Sequence, residues 1–221
     1  MRILKLTAKD FELIGGYRQY TGKEDLTDFE GNLEFEANLG WIKVSSIKVS
    51  GYLSIKAGGS IKAGGSIKAG SWIEAGGSIE AGGSIKAGDW IEAGDWIEAG
   101  SSIKAGGSIK AGGSIKAGGW IEAGDWIKAI QGGITCGLQL TCKGLLKFKL
   151  RLFAGISPYP WNENAEPTVT CGKLEGNVVY GDVVETGMPE DKKTESINIG
   201  GTQYEVTPEL TKALKDLKEI N

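Results

Sequence analysis

Residues 55–69 read IKAGGSIKAGGSIKA, and the same six-residue cycle runs on to residue 130. Isoleucine recurs at 55, 61, 67, 73, 79, 85, 91, 97, 103, 109, 115, 121 and 127, with alanine two residues after each. Glycine follows that alanine in every unit but the last, where Ile130 stands, so the unit is [G/S/D]-[S/W]-I-[K/E]-A-G. A period of six is a multiple of two and fits no helical repeat. Isoleucine and alanine therefore share one side of a strand, and the lysine or glutamate between them takes the other. The β-branched side chain packs inward and the charge faces water. A flat sheet of such strands would turn about every six residues and leave open edges. Coiling them into a three-sided prism of about 18 residues per turn pairs each strand with the one a turn above. Equivalent residues must then stack coil on coil, which is the physical cause of the repetition. The glycines are expected at corners, where the backbone takes conformations that a side chain penalises.

The flanks are less regular. LEFEANLGWIKVSSIKVSGYLSIKA is an imperfect lead-in whose register slips between Ile42 and Ile47 and then locks, so the solenoid is expected over 32–130. A coil end exposes apolar side chains and strand edges, and residues 1–31, with Phe11, Leu13, Tyr17 and Tyr20, are expected to cap it. Residues 131–221 form a C-terminal β-rich module. In it LLKFKLRLF (145–153) alternates, with Leu146, Phe148, Leu150 and Leu152 on one face and Lys147, Lys149 and Arg151 on the other. A proline-rich loop (157–167), short strands over 169–186 and a polar connector (188–195) follow. The chain is expected to end in an amphipathic helix at about 208–220: Thr207 caps, Pro208 opens the first turn, and Leu210, Leu214 and Leu217 form a stripe. So short a helix is marginal alone, so the stripe packs on the strands or on a second copy of the chain, making a homodimer.

The units GGSIKA and DWIEAG resemble the hexapeptide-repeat β-helices, in which an aliphatic residue recurs every six positions with a small residue two places before it; here Gly59, Ser71 and Asp89 hold that place. The alanine after each isoleucine departs from that pattern and is similar to the alternation in bactofilin-type solenoids. The hexapeptide resemblance favours a left-handed coil, whereas bactofilin-type solenoids are right-handed. It also brings acyltransferases to mind, and those enzymes typically use a histidine between subunits and a loop protruding from a coil. This chain has no histidine and no room for an insertion between 55 and 130.

Without histidine the commonest general base and transition-metal ligand are gone, and no enzyme, cofactor or metal site is expected. The formal charge of −3, from 25 basic and 28 acidic residues, makes no global case for nucleic acid. No stretch approaches the roughly 18 apolar residues of a membrane helix, and the start lacks a secretion signal, so a cytoplasmic protein is expected. Cys136, Cys142 and Cys171 are odd in number and form no CxxC pair, which fits free buried thiols.

Function has to lie on the outer surface. At 18 residues per turn the charges fall into three columns: Lys56, Glu74, Glu92, Lys110, Lys128; Lys62, Glu80, Glu98, Lys116; and Lys68, Lys86, Lys104, Glu122. The position before isoleucine is serine eight times but tryptophan at 72, 90, 96, 120 and 126. Its parity points those indoles outward, and Trp72, Trp90 and Trp126 share one column. Aspartate precedes three of them, at 89, 95 and 125. Trp72, Trp90, Trp96, Trp120 and Trp126, with Asp89, Asp95, Glu92 and Glu98, form either cross-coil packing or a protein-binding surface. Lys143, Lys147, Lys149 and Arg151 form a second candidate surface, either an edge strand guarded by lysines or a contact for nucleic acid or an acidic protein. The leading expectation is a non-enzymatic scaffold that docks a protein, one form being a phage-type inhibitor of a host defence or nucleic-acid-processing machine. The alternatives are a self-assembling bactofilin-like structural protein and a nucleic-acid-binding accessory protein.

Overall fold

The computed structural model describes residues 1–156, 167–189, 195–199 and 202–206. The expected C-terminal helix, with Leu210, Leu214 and Leu217, lies outside the described residues. The chain divides into two compact units, Met1–Met188 and Pro189–Asn221. The described part of the second is an antiparallel hairpin, Glu195–Ile199 with Thr202–Val206. The first is an all-β parallel solenoid of about six turns, with about 19 residues per turn on average. No helix among the described residues is long and apolar enough to cross a membrane.

Each strand pairs in parallel with the third strand on, which gives three faces. On the first, Ile73, Ile91, Ile109 and Ile127 stack in register. On the second the stack is Ile61, Ile79, Ile97 and Ile115. On the third it is Ile67, Ile85, Ile103 and Ile121. These isoleucines are 0–1% exposed and the alanines two residues on are buried beside them. Each buried isoleucine contributes about 1.5–3 kcal/mol, so the stack is the main source of stability.

The register departs from the strict repeat at both ends. Leu53 lies under Ile73 and Ile55 under Ala75, so Ile55 takes an alanine's place and Ala57 is left exposed. Ser54, not the expected Lys56, is therefore Glu74's neighbour. The extra length is taken up next to Gly58, whose φ of 75° is left-handed. At the other end the sequence repeat stops at 130 but the coil does not. Ile134 stacks on Ile115, Leu140 on Ile121 and Leu146 on Ile127, and pairing continues through Asp182–Glu185. The boundary expected at 130 thus marks only the end of the repeat.

Leu145–Ala154 is a rung of this stack, not an edge strand: its first part pairs with Ile127–Ala129, its last with Ile134–Cys136, and Lys173–Tyr180 covers it. It wraps a corner, where the amides of Lys149 and Leu150 both donate to the Gly132 carbonyl. That corner overturns the simple alternation, because Leu150 is 58% exposed while Leu146, Phe148 and Leu152 are buried.

At the N-terminal end Ile3–Leu6 pairs with Asn32–Phe35, and the hairpin Phe11–Ile14/Tyr17–Tyr20 adds to Gly40–Val44. Phe11 packs against Tyr20 and Phe35 with ring centroids 5.7 and 6.0 Å apart. Leu13, expected to cover the coil, is instead 71% exposed on the hairpin.

The repeat glycines also need a different explanation. None between Gly64 and Gly144 has a positive φ. A Cβ at Gly94, Gly106, Gly112 or Gly124 would run into the carbonyl oxygen of the glycine one turn below. Close stacking of the corners, rather than a left-handed backbone, excludes side chains there. The three cysteines are free and buried, and Cys136 and Cys142 take the alanine place over Ala117 and Ala123. Burial pushes the thiols of Cys136 and Cys142 up to about 12.

Candidate functional site

The outer charges follow from the register. Lys62–Glu80, Lys104–Glu122, Lys110–Glu92 and Lys116–Glu98 form ion pairs of 2.7, 2.8, 2.6 and 2.7 Å, each joining residues one turn apart. Such exposed pairs stabilise by about 0–1 kcal/mol each. The third column extends back to Lys48, so Lys48, Lys68, Lys86 and Lys104 stand in succession. Lys48 is taken up by Asp28 and Lys104 by Glu122.

The indoles do point outward, but the coil distributes them over all three faces. Trp120 stands on the third, 44% exposed. Trp96 is on the second, 40% exposed, and its Nε1 donates to Glu80 at 3.2 Å. Its ring lies 5.9 Å from that of Trp41, although the two sit three turns apart, a rise of about 14 Å. Both rings therefore lean over Ser60 and Ser78 between them. Ser78 is fully buried and its hydroxyl has no hydrogen-bond partner among the described residues.

The first face carries a ladder. Tyr52 stacks on Trp72 at 4.4 Å with rings 2° from parallel, and Trp72 on Trp90 at 5.0 Å and 1°. The Tyr52 hydroxyl donates to Glu34 at 2.7 Å, which holds that carboxyl below its ordinary range. The next rung is Ser108, and the one after it is Trp126. The missing indole leaves a hollow of about 460 Å³ lined by Trp90, Trp126, Ser108, Asp89, Asp125, Glu92 and Lys110. Glu92 is bound by Lys110. Neither Asp89 nor Asp125 has an ion-pair or side-chain hydrogen-bond partner among the described residues, and both are exposed. Beyond the hollow, the Lys128 Nζ lies over the Trp126 ring, 4.3 Å from its centroid.

Of the residues singled out from sequence, the coil thus brings Trp90, Trp126, Asp89 and Glu92 around one hollow. Trp72 is one rung away in the stack. Trp96, Asp95 and Glu98 lie on the second face, and Trp120 stands apart. Tyr52, Trp41, Asp125, Ser108 and Lys110 were not on that list. Counting back one turn from Trp72 does find Tyr52, provided the lead-in is allowed 20 residues per turn rather than 18.

The basic strand does not form a single patch. Lys147 is paired at 2.8 Å with Glu175 from the next rung, Lys149 donates to Gln131, and Arg151 lies past the corner. Lys143 precedes the strand. The fold is that of a parallel β-solenoid, and beyond this class comparison adds nothing. No protein-family description matches the chain, and no match was found among curated proteins or solved structures.

Proposed function

We propose that the chain is a non-enzymatic, protein-binding scaffold whose first face docks a partner through the Trp90–Trp126 hollow. One observation carries this reading: two indoles, and two carboxylates without ion-pair or side-chain hydrogen-bond partners among the described residues, are held around one opening by the stack of coils. Half-exposed aromatics ringed by polar groups are the usual anchors of protein interfaces. The non-catalytic part rests on the absence of histidine and on thiols that burial keeps protonated. An inhibitor seated on a larger machine is one form of such a scaffold.

The test is affinity capture from cells that make the protein, comparing wild type with a Trp90→Ser/Trp126→Ser variant of equal circular dichroism. A partner held by wild type and lost by the variant supports the reading. A partner retained by both moves the interface elsewhere. Recovery of only the chain itself replaces docking with self-assembly.

A further inference from the structure

The geometry points to an arginine side chain of the partner protein as the group that enters the hollow, its guanidinium lying between Trp90 and Trp126 with its N–H groups toward Asp89 and Asp125. This deepens the docking reading and rests on it. The ladder sets the dimensions. Trp72 and Trp90 stack at 5.0 Å, and Trp126 lies two turns from Trp90, so the backbone register sets a group at the empty rung about 4.8 Å from the rung on each side. That is within the roughly 6 Å over which a cation is attracted to an aromatic face. Trp126 already makes a contact of this kind with Lys128, at 4.3 Å.

Charge selects among the groups that would fit. Among the described residues the lining carries Asp89, Glu92 and Asp125 against Lys110, and Lys110 is taken up by Glu92. An apolar aromatic side chain would cover two carboxylates without pairing them, which is costly. A guanidinium pairs with them, stacks on indole, and is more weakly hydrated than an ammonium. Ser108 puts only a hydroxymethyl group at this rung, where the rungs on either side carry indoles.

The purified chain is titrated with the blocked tripeptide Gly-Arg-Gly, and with Gly-Lys-Gly and Gly-Trp-Gly, while the indole N–H resonances are followed by NMR. Saturable shifts at Trp90 and Trp126 but not at Trp120, strongest for the arginine peptide, are expected. Asp89→Asn/Asp125→Asn should weaken binding about two- to thirtyfold, the range for losing two exposed charge pairs. Ser108→Trp should complete the ladder, keep the fold and abolish the shifts. A tryptophan peptide that binds more tightly and ignores the Asp→Asn changes overturns the proposal, as does the absence of any shift. Shifts that follow protein concentration without peptide also overturn it, with a second copy as occupant. The titration needs no captured partner: its failure beside a successful capture removes only the arginine, whereas a failed capture beside a positive titration removes the docking reading.

Discussion

Replacing Gly106 by alanine separates two explanations of the repeat glycines, because they predict opposite signs. Gly106 does not have a left-handed φ, so if glycine were only a flexible corner residue, alanine would stabilise by about 0.4–1 kcal/mol through the unfolded chain. The structure puts the new Cβ against the Gly88 carbonyl, whose carbon would be 3.1 Å away and whose oxygen closer still. That oxygen is backbone and is fixed by the stack, so overpacking of about 1–3 kcal/mol is expected. For so close a contact the upper half of that range applies, and the net is about 1–2.6 kcal/mol of destabilisation, or a midpoint lowered by about 2–10 °C for a unit of this size. Gly64 is the control: the nearest atom to its Cβ would be the Ser45 carbonyl oxygen at 3.6 Å, an ordinary contact. Gly64→Ala should therefore raise the midpoint slightly. Thermal and urea unfolding followed by circular dichroism measure both, and the urea slope shows whether one coil opens separately. A Gly106→Ala protein as stable as wild type would refute the stacking argument.

Three further outcomes follow from the same geometry. Ser78→Ala should leave stability unchanged or raise it by up to about 1 kcal/mol, because the buried hydroxyl removed has no partner among the described residues; a clear loss in urea melts would contradict this. Trp72→Ser breaks two stacks and should cost about 1–3 kcal/mol, whereas Trp120→Ser should cost less than about 0.5 kcal/mol in the same melts. Cys136 and Cys142 should resist thiol reagents at pH 8 until the chain unfolds, since pKa values of about 12 leave thiolate fractions near 10⁻⁴. Because burial raises these values in the folded state, their contribution is fully present below about pH 8.5. It is lost as pH rises toward 12, by about 1.4 kcal/mol per thiol per pH unit, which alkaline melts would detect.

The solenoid was legible because one side-chain class repeats at one spacing. Ile91 at the centre of the stack follows directly from that period. Where the period failed, sequence reading failed with it: Ile55 looks like the first isoleucine of the series yet occupies an alanine's place, and Leu150 alternates correctly but sits on a corner. Strand pairing beyond 130 relies on Ile134, Leu140 and Leu146, which are six apart from one another but begin seven residues after Ile127 and lack the flanking motif. The hairpin Glu195–Ile199/Thr202–Val206 had a usable signal, two glycines at 200–201 between alternating segments, that went unread. Trp90 and Trp126 could be placed in one column by counting. The same counting puts Ser108 at the rung between them, but the lining of the hollow by Asp89, Asp125, Glu92 and Lys110 depends on how the corners fold.

The Trp90–Trp126 opening is one coil tall, and that makes it removable by arithmetic. Excision of residues 91–108, one full turn of 18, would join Trp90 to Ile109 with every remaining strand still finding an equivalent neighbour. The molecule would shorten by about 4.8 Å. Trp126 would then become the rung next to Trp90, closing the ladder. In a chain whose coils are nearly interchangeable, gain or loss of a single copy during replication would thus open or close that hollow at one stroke while the architecture persists.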